Sequence, residues 1–368
     1  MPAYGTHTPI STMEGVTRIA SLSWQVALAL VVALVATGLA LSHRASAAAT
    51  DVSPALVDIN TNLAYQGSSA AGTGIVLTSD GRVLTNNHVI KGATTIHATD
   101  VGNGRTYLAS VVGYDVQDDI AVLQLKGASG LQAAGLGSSG SAKRGDVVAA
   151  IGNAGGAGGT PSVSSGRITA LNQSITAGDG NGDSERLTGL IGTDATLVPG
   201  DSGGALVDSS GRVLGMLTAA SRSGGFQFEF QGQPQSTTRG YAIPVAKALL
   251  VVDAIVAGKG SARIHVGSTA LLGITLQQAA SYGDSGYYGQ IASGAAVTGL
   301  LQTGAAARAG LAYGDVITAL GGNKVKTPSD VTKALLVTHP GDTIKIGWTD
   351  SAGTHHTGTA RLGSGPPQ

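Results

Sequence analysis

Between Val52 and Ile243 the chain is cut into short segments that alternate apolar and polar residues or run briefly apolar, separated by turn residues. Such spacing leaves no room for long helices and points to β-strands. Gly74 to Thr78, Ser79-Asp80-Gly81 and Arg82 to Thr85 read as strand, turn and strand of one hairpin. Further strands are expected at Thr94 to Ala98, Tyr107 to Tyr114 and Ile120 to Leu125. The Gly/Ser-rich stretch Gly127 to Ser141 then interrupts the pattern. A second set follows at Asp146 to Ile151, Ser162 to Leu171, Leu190 to Thr193, Gly203 to Asp208, Val213 to Ala219 and Gly240 to Ile243. Two packed antiparallel β-barrels accommodate this run, so the fold class is mainly β. With 57 glycines and 4% aromatic residues, the chain suits many turns and close backbone approaches.

Val245 to Ala257 has helical periodicity and closes on Gly258, which ends the first large unit near residue 260. The next hundred residues repeat neither half. Strands are expected at Leu271 to Leu276, Ala296 to Leu301, Asp315 to Leu320 and Thr343 to Thr349. Thr327-Pro328 supplies an N-cap and a proline at the first helical position, opening a helix through about Val337. A small α+β unit over 261–363 results, and the tail 364–368 reads as disordered.

Ahead of the barrels, Leu22 to Leu41 carries no charge and Val26 to Ala36 is unbrokenly apolar, enough to span roughly 30 Å of hydrocarbon as a helix. Residues 1–50 are therefore a signal peptide or a membrane anchor with its linker. Ala45-Ser46-Ala47 has the small residues of a cleavage site, whereas the long region before it suits a retained anchor, so both readings stand. The chain is expected to be exported, either secreted or held as a single-pass protein in the cytoplasmic membrane. With 22 basic against 22 acidic residues, a nucleic-acid surface is not indicated. The absence of cysteine excludes disulfides, zinc-thiolate sites, iron-sulfur clusters and cysteine nucleophiles.

The chemistry concentrates in Pro199-Gly200-Asp201-Ser202-Gly203-Gly204. A serine hydroxyl needs a neighbouring base and a backbone that presents it beside donors for a developing oxyanion, and flanking glycines permit that turn. His88, in Thr85-Asn86-Asn87-His88-Val89-Ile90, stands between strand and loop in the first barrel, where a general base could face a serine from the second. Asp119 opens Asp119-Ile120-Ala121-Val122-Leu123-Gln124-Leu125. A carboxylate entering a buried strand needs a donor, and an imidazole N–H would serve. Period two puts Asp119 on the face of Ala121 and Leu123, and leaves Asp118 on the opposite face towards solvent.

These motifs resemble the HtrA-type trypsin-fold serine proteases with a C-terminal PDZ domain, and most nearly the PepA-type secreted proteases of actinobacteria. The resemblance covers about Val57 to Leu362. It is carried by GTGIVL at 72–77, LTNNHVI at 84–90, DIAVLQL at 119–125, AIGN at 150–153, PGDSGGAL at 199–206 and YAIP at 241–244. It implies a trypsin-like domain over 51–260, a PDZ domain over 261–363, and a triad of His88, Asp119 and Ser202. The backbone amides of Gly200 and Ser202 would form the oxyanion hole. The primary substrate pocket would be based on Thr196 and walled by Gly215, Met216, Leu217 and Thr218. Leu271, Leu272, Gly273 and Ile274 would hold a peptide C-terminus at the PDZ domain.

Two departures stand out. Asp201 occupies a position where many HtrA proteins have Asn, and no activation site supplies an amine to neutralise it. The loop Ser221 to Arg239 is longer than in many members. Asp179-Gly180-Asn181-Gly182-Asp183 lacks the later ligands of a calcium loop, and His355-His356 point to opposite strand faces, so neither receives a role. The expectation is a serine endopeptidase acting on unfolded or damaged proteins outside the cytoplasm, without metal or organic cofactor. Its rival is a binding or chaperone module with a silent peptidase domain. The family implies a homo-oligomer, commonly a trimer. Tyr65 is the only aromatic between Asp51 and Ser69 that could make such a contact, so a monomer stays open.

Overall fold

The computed structural model describes residues 52–178, 184–220, 228–229, 240–279 and 293–368. The apolar N-terminal segment, the acidic turn 179–183 and nearly all of the loop 221–239 lie outside these residues. No helix among the described residues is long and apolar enough to cross a membrane.

The first barrel comprises β1 (Leu56–Leu63), β2 (Ser68–Val76), β3 (Arg82–Thr85), β4 (Thr95–Asp100), β5 (Thr106–Asp115) and β6 (Ile120–Leu125), closed by pairing of β5 with β6. The one-turn helix α1 (Asn87–Ile90) follows β3. The second comprises β7 (Val147–Gly152), β8 (Ser162–Gly178), β9 (Ser184–Thr193), β10 (Ala205–Asp208) and β11 (Val213–Ala220), the short β12 (Phe228–Glu229), and β13 (Gly240–Pro244). Pairing of β8 with β9 closes it.

The run Ile120–Leu125 is apolar except for the half-buried Gln124, because both faces of its other residues are buried. Ala121, Leu123 and Leu125 fill the first barrel with Val57, Ile59 and Val83. Ile120 and Val122 face the seam, where they join Ile151, Met216 and Ile243 of the second barrel. Helix α2 (Val245–Val256) seals this seam with Ala248, Val251, Val252 and Ile255. Its buried positions recur at helical spacing, as the periodicity predicts.

The chain then adds β14 (Ile264–Val266), which pairs with β5 at Ile264↔Asp115 and Val266↔Gly113. The first unit thus runs past residue 260, and residues 264–266, read above as the start of the C-terminal unit, belong to the first barrel's sheet. The C-terminal unit comprises β15 (Thr269–Leu271), β16 (Ile274–Gln278), β17 (Ala295–Leu300), α3 (Ala305–Ala309), β18 (Val316–Leu320), β19 (Asn323–Lys324), α4 (Pro328–Leu336), β20 (Thr343–Thr349), β21 (His355–Arg361) and β22 (Gly363–Gly365). The expected start of α4 is observed, with Thr327 and Asp330 forming a reciprocal capping box.

The tail is ordered, contrary to the sequence reading. Strand β22 pairs with β15. Beyond it, Gly92 N–H donates to the Pro367 carbonyl at 2.9 Å, and Asn87 Nδ2 donates to the Gln368 carbonyl at 3.1 Å. Gly-Ser-Gly-Pro-Pro offers no side chain that signals order, because its bonds are made by backbone groups, which composition does not reveal.

Candidate active site

Thr73, inside the GTGIVL motif, stitches the two barrels together at the candidate nucleophile. Its N–H donates to the Ser202 carbonyl at 2.8 Å and its hydroxyl to the Gly200 carbonyl at 2.8 Å. The same hydroxyl accepts Asn153 N–H at 2.8 Å, and its carbonyl accepts the Thr85 hydroxyl at 2.7 Å. Sequence reading gave Thr73 no role; its only signal was its place in a quoted motif.

The turn carrying Ser202 depends on two glycines with positive φ, +98° at Gly200 and +84° at Gly203. A Cβ on Gly203 would sit 1.9 Å from the Thr73 carbonyl oxygen, and one on Gly200 would sit 2.1 Å from that of Asn153. Both positions therefore require glycine on two grounds, conformation and space. Gly203 N–H donates to the Leu217 carbonyl and Leu217 N–H to the Gly204 carbonyl, each at 2.8 Å, which locks the turn onto β11. Among the described residues, the amides of Gly200 and Ser202 donate to no protein acceptor, while those of Asp201, Gly203 and Gly204 do. Two adjacent uncommitted donors beside a serine are what an oxyanion requires.

His88 sits on α1 with its side chain 30% exposed. Its backbone N–H donates to Asp119 Oδ1 at 3.0 Å, and its Nδ1 lies 2.9 Å from Asp119 Oδ2. Nδ1 facing a carboxylate fixes the tautomer with the proton there, which leaves Nε2 as the basic nitrogen. The Thr218 hydroxyl donates to Asp119 Oδ2 at 2.6 Å. Gly72 brings α1 against the nucleophile turn: a Cβ there would meet Val89 Cγ1 at 2.6 Å and the Ser202 carbonyl oxygen at 3.2 Å.

Asp119 is buried, as expected, but for a different reason. Its φ is +54°, so a left-handed turn immediately before β6 aims its side chain, and the period of the strand does not. Asn86 Nδ2 holds the Asp119 carbonyl at 3.0 Å. Asp118 does not simply face solvent: Lys247 Nζ lies 2.8 Å from its carboxylate, and the Arg263 guanidinium pairs with it too.

Asp201 is buried without a cation among the described residues. Its carboxylate accepts Val198 N–H at 2.9 Å and the Ser162 hydroxyl at 3.2 Å. Burial pushes its carboxyl above the ordinary carboxylate range, with these two donors pulling the other way.

The side chains expected to wall the pocket are buried. Met216 is fully buried in the seam between the barrels, and Leu217 is fully buried inside the second barrel with Ile168, Ile191 and Leu206. Thr218 is committed to Asp119, and a Cβ on Gly215 would meet the Ile243 carbonyl oxygen at 2.8 Å. Only Thr196 is exposed, in the loop ahead of Ser202. Strand alternation sends the Met216 and Leu217 side chains into two different cores.

In the C-terminal unit the expected strand Leu271 to Leu276 is two strands, broken at Gly273 with φ +80°. Leu271 pairs with Gly363, and Leu272 is buried in the core. Among the described residues, strand β16, starting at Ile274, pairs on one side only, with β17.

The family model for the trypsin-like peptidase domain matches residues 72–216, and that for the PDZ domain matches 270–349. The serine protease PepD of Mycobacterium tuberculosis is 33% identical over 327 residues, covering 86% of this chain and 65% of PepD. The periplasmic pH-dependent serine endoprotease DegQ of Escherichia coli is 32% identical over 277 residues, covering 75% of this chain and 56% of DegQ. The chain thus spans between about half and two-thirds of the length of these curated relatives. Among solved structures, the HtrA-type protease AlgW with tripeptide is 31% identical, covers 89% of this chain and 98% of its own, and superposes with a TM-score of 0.48.

Proposed function

Because the chain belongs to the HtrA-type serine protease family, a trypsin-like peptidase domain followed by a PDZ domain, we propose that it is an endopeptidase cutting unfolded or damaged proteins outside the cytoplasm. Ser202 Oγ attacks the scissile carbonyl. His88 Nε2 takes the proton and returns it to the leaving amine, while Asp119 holds the tautomer and stabilises the imidazolium. The uncommitted amides of Gly200 and Ser202 receive the oxyanion. The observation that carries this reading is the hydrogen-bonded chain Thr218–Asp119–His88 beside a serine turn with two free amides.

The side of β16 that has no strand partner among the described residues, beside Gly273, suits a substrate or activating peptide that adds as a strand and ends in its carboxylate. An extracytoplasmic site of action agrees with the apolar N-terminal segment and with the periplasmic relatives. The test is labelling of the exported protein by a fluorophosphonate. Ser202 should react in the natural chain, and Ser202→Ala should abolish the label. A natural chain that never labels, even with added peptide, would leave a peptide-binding module in place of an enzyme.

A further inference from the structure

The turn joining β5 to β6 carries three carboxylates in five residues, Asp115, Asp118 and Asp119, and only Asp119 touches His88. The other two converge on one cation. Arg263 Nη2 lies 3.0 Å from Asp115 Oδ2 and also pairs with Asp118 Oδ2. Asp115 is fully buried, and its carboxyl is pushed up by burial while Arg263 pulls it back. Asp115 Oδ1 in turn accepts Asp118 N–H at 3.1 Å, which closes the turn on itself. Lys247 of α2 takes the remaining Asp118 oxygen and also donates to the Thr188 carbonyl at 3.0 Å, tying the turn to the second barrel.

Arg263 reaches this turn from an informative place. It immediately precedes β14, the strand added to β5 just before the chain enters the PDZ domain. Asp119 itself needs support: a non-glycine residue at positive φ is an unfavourable conformation that persists only where its surroundings over-determine it. Asn86, His88 and Thr218 hold it from the far side. On the near side, removing the guanidinium would leave Asp115 buried and uncompensated next to a like charge, a situation that proteins relieve by moving.

We propose that Arg263 is a positioning residue for catalysis: by clasping Asp115 and Asp118 it fixes the turn that presents Asp119 to His88. The proposal rests on the triad reading above. It makes the strand leading to the PDZ domain part of the support of the catalytic acid.

The test is a double-substitution cycle on the full chain, with kcat and KM read on a short chromogenic peptide and melting temperature read in parallel. Arg263→Gln should lower kcat by about ten- to a hundredfold, the scale of a misplaced catalytic group, with KM held within about twofold. In an Asp119→Asn background the same change should cost almost nothing further, because the group it positions is already disabled. Arg263→Lys, which keeps the charge, should recover part of the loss. It also replaces Arg263→Gln in the cycle if that variant does not fold. An unchanged kcat at temperatures below melting would overturn the proposal, as would an equal loss in both backgrounds. Fluorophosphonate labelling of the natural chain separates the two levels: if Ser202 never reacts, the endopeptidase reading fails, whatever the cycle gives.

Discussion

The Thr218 hydroxyl donates to Asp119 Oδ2 at 2.6 Å from a strand of the opposite barrel. Thr218 follows Leu217, whose backbone locks the serine turn through Gly203 and Gly204. One strand therefore touches the candidate acid with a side chain and the candidate nucleophile with its backbone. Thr218→Val keeps the shape and removes the donor. Hydrogen bonds to charged groups are worth about 1.5–3 kcal/mol, so turnover should fall by about ten- to a hundredfold with little change in KM. Unchanged turnover would show that His88 alone orients the carboxylate.

Asp119→Asn should cost about 10⁴ in turnover, because an amide facing Nδ1 holds the imidazole in the wrong tautomer. Asp118→Asn should cost under about tenfold: it weakens the pairs with Lys247 and Arg263 but leaves Asp119 charged. Steady-state kinetics on both variants ranks the two carboxylates, and the reverse order would mean that the wrong aspartate has been paired with His88.

Asp201 gives a pH prediction. Its folded pKa lies above its unfolded one, so its contribution to stability is full below the ordinary carboxylate value and is lost as pH rises through the folded value. Once ionised it is a buried carboxylate held by Val198 N–H and the Ser162 hydroxyl alone, among the described residues. Asp201→Asn removes that charge. Its melting temperature should match the natural chain's near pH 4 and exceed it increasingly towards pH 8. A difference that shrinks with pH would mean that a cation reaches Asp201.

The two barrels and the start of the PDZ helix are legible because each has a local signature: alternation for the strands, and Thr327 followed by proline for the helix. What was not legible depends on contacts between distant parts of the chain. Nothing in the sequence assigns Thr218 to Asp119 across 99 residues, or Arg263 to Asp115 across 148. Asp119 was picked by strand period, yet its left-handed turn is what aims it. An offset from Ser202 likewise does not tell that the Met216 and Leu217 side chains each enter a core.

Truncation tests the PDZ domain, and β14 decides where to cut. Removing everything after Gly267 keeps Ile264–Val266 on β5 and Arg263 on its aspartates. Cleavage of short peptides should stay measurable while cleavage of unfolded protein weakens, since tethered capture is lost. Removing everything after Gly260 should damage both, because it also strips the sheet and the clasp. Equal loss on both substrates from the later cut would make the PDZ domain a structural cover, a role in keeping with Leu336 packing into the first barrel's core.

Substrate preference follows from where the wall of the pocket must lie. The residues expected around it are Thr196 and Gly215 to Thr218, and β11 continues beyond them through Ala219 and Ala220, whose backbone pairs with Tyr241 and Gly240. Thr196, exposed in the loop before Ser202, is the residue expected at its base. None of these residues carries charge, and Arg or Lys entering such a pocket would lose hydration without gaining a partner. Small aliphatic residues such as Val, Ala and Ile are expected before the scissile bond, ahead of Phe or Tyr. One methylene is worth about 1–3 kcal/mol of discrimination, so the preference should be graded. Mass-spectrometric profiling of cleavage in a denatured protein mixture reads it directly. A dominant Arg/Lys signal would require a carboxylate at the pocket, and Glu229 on the long loop is the first to replace by Gln.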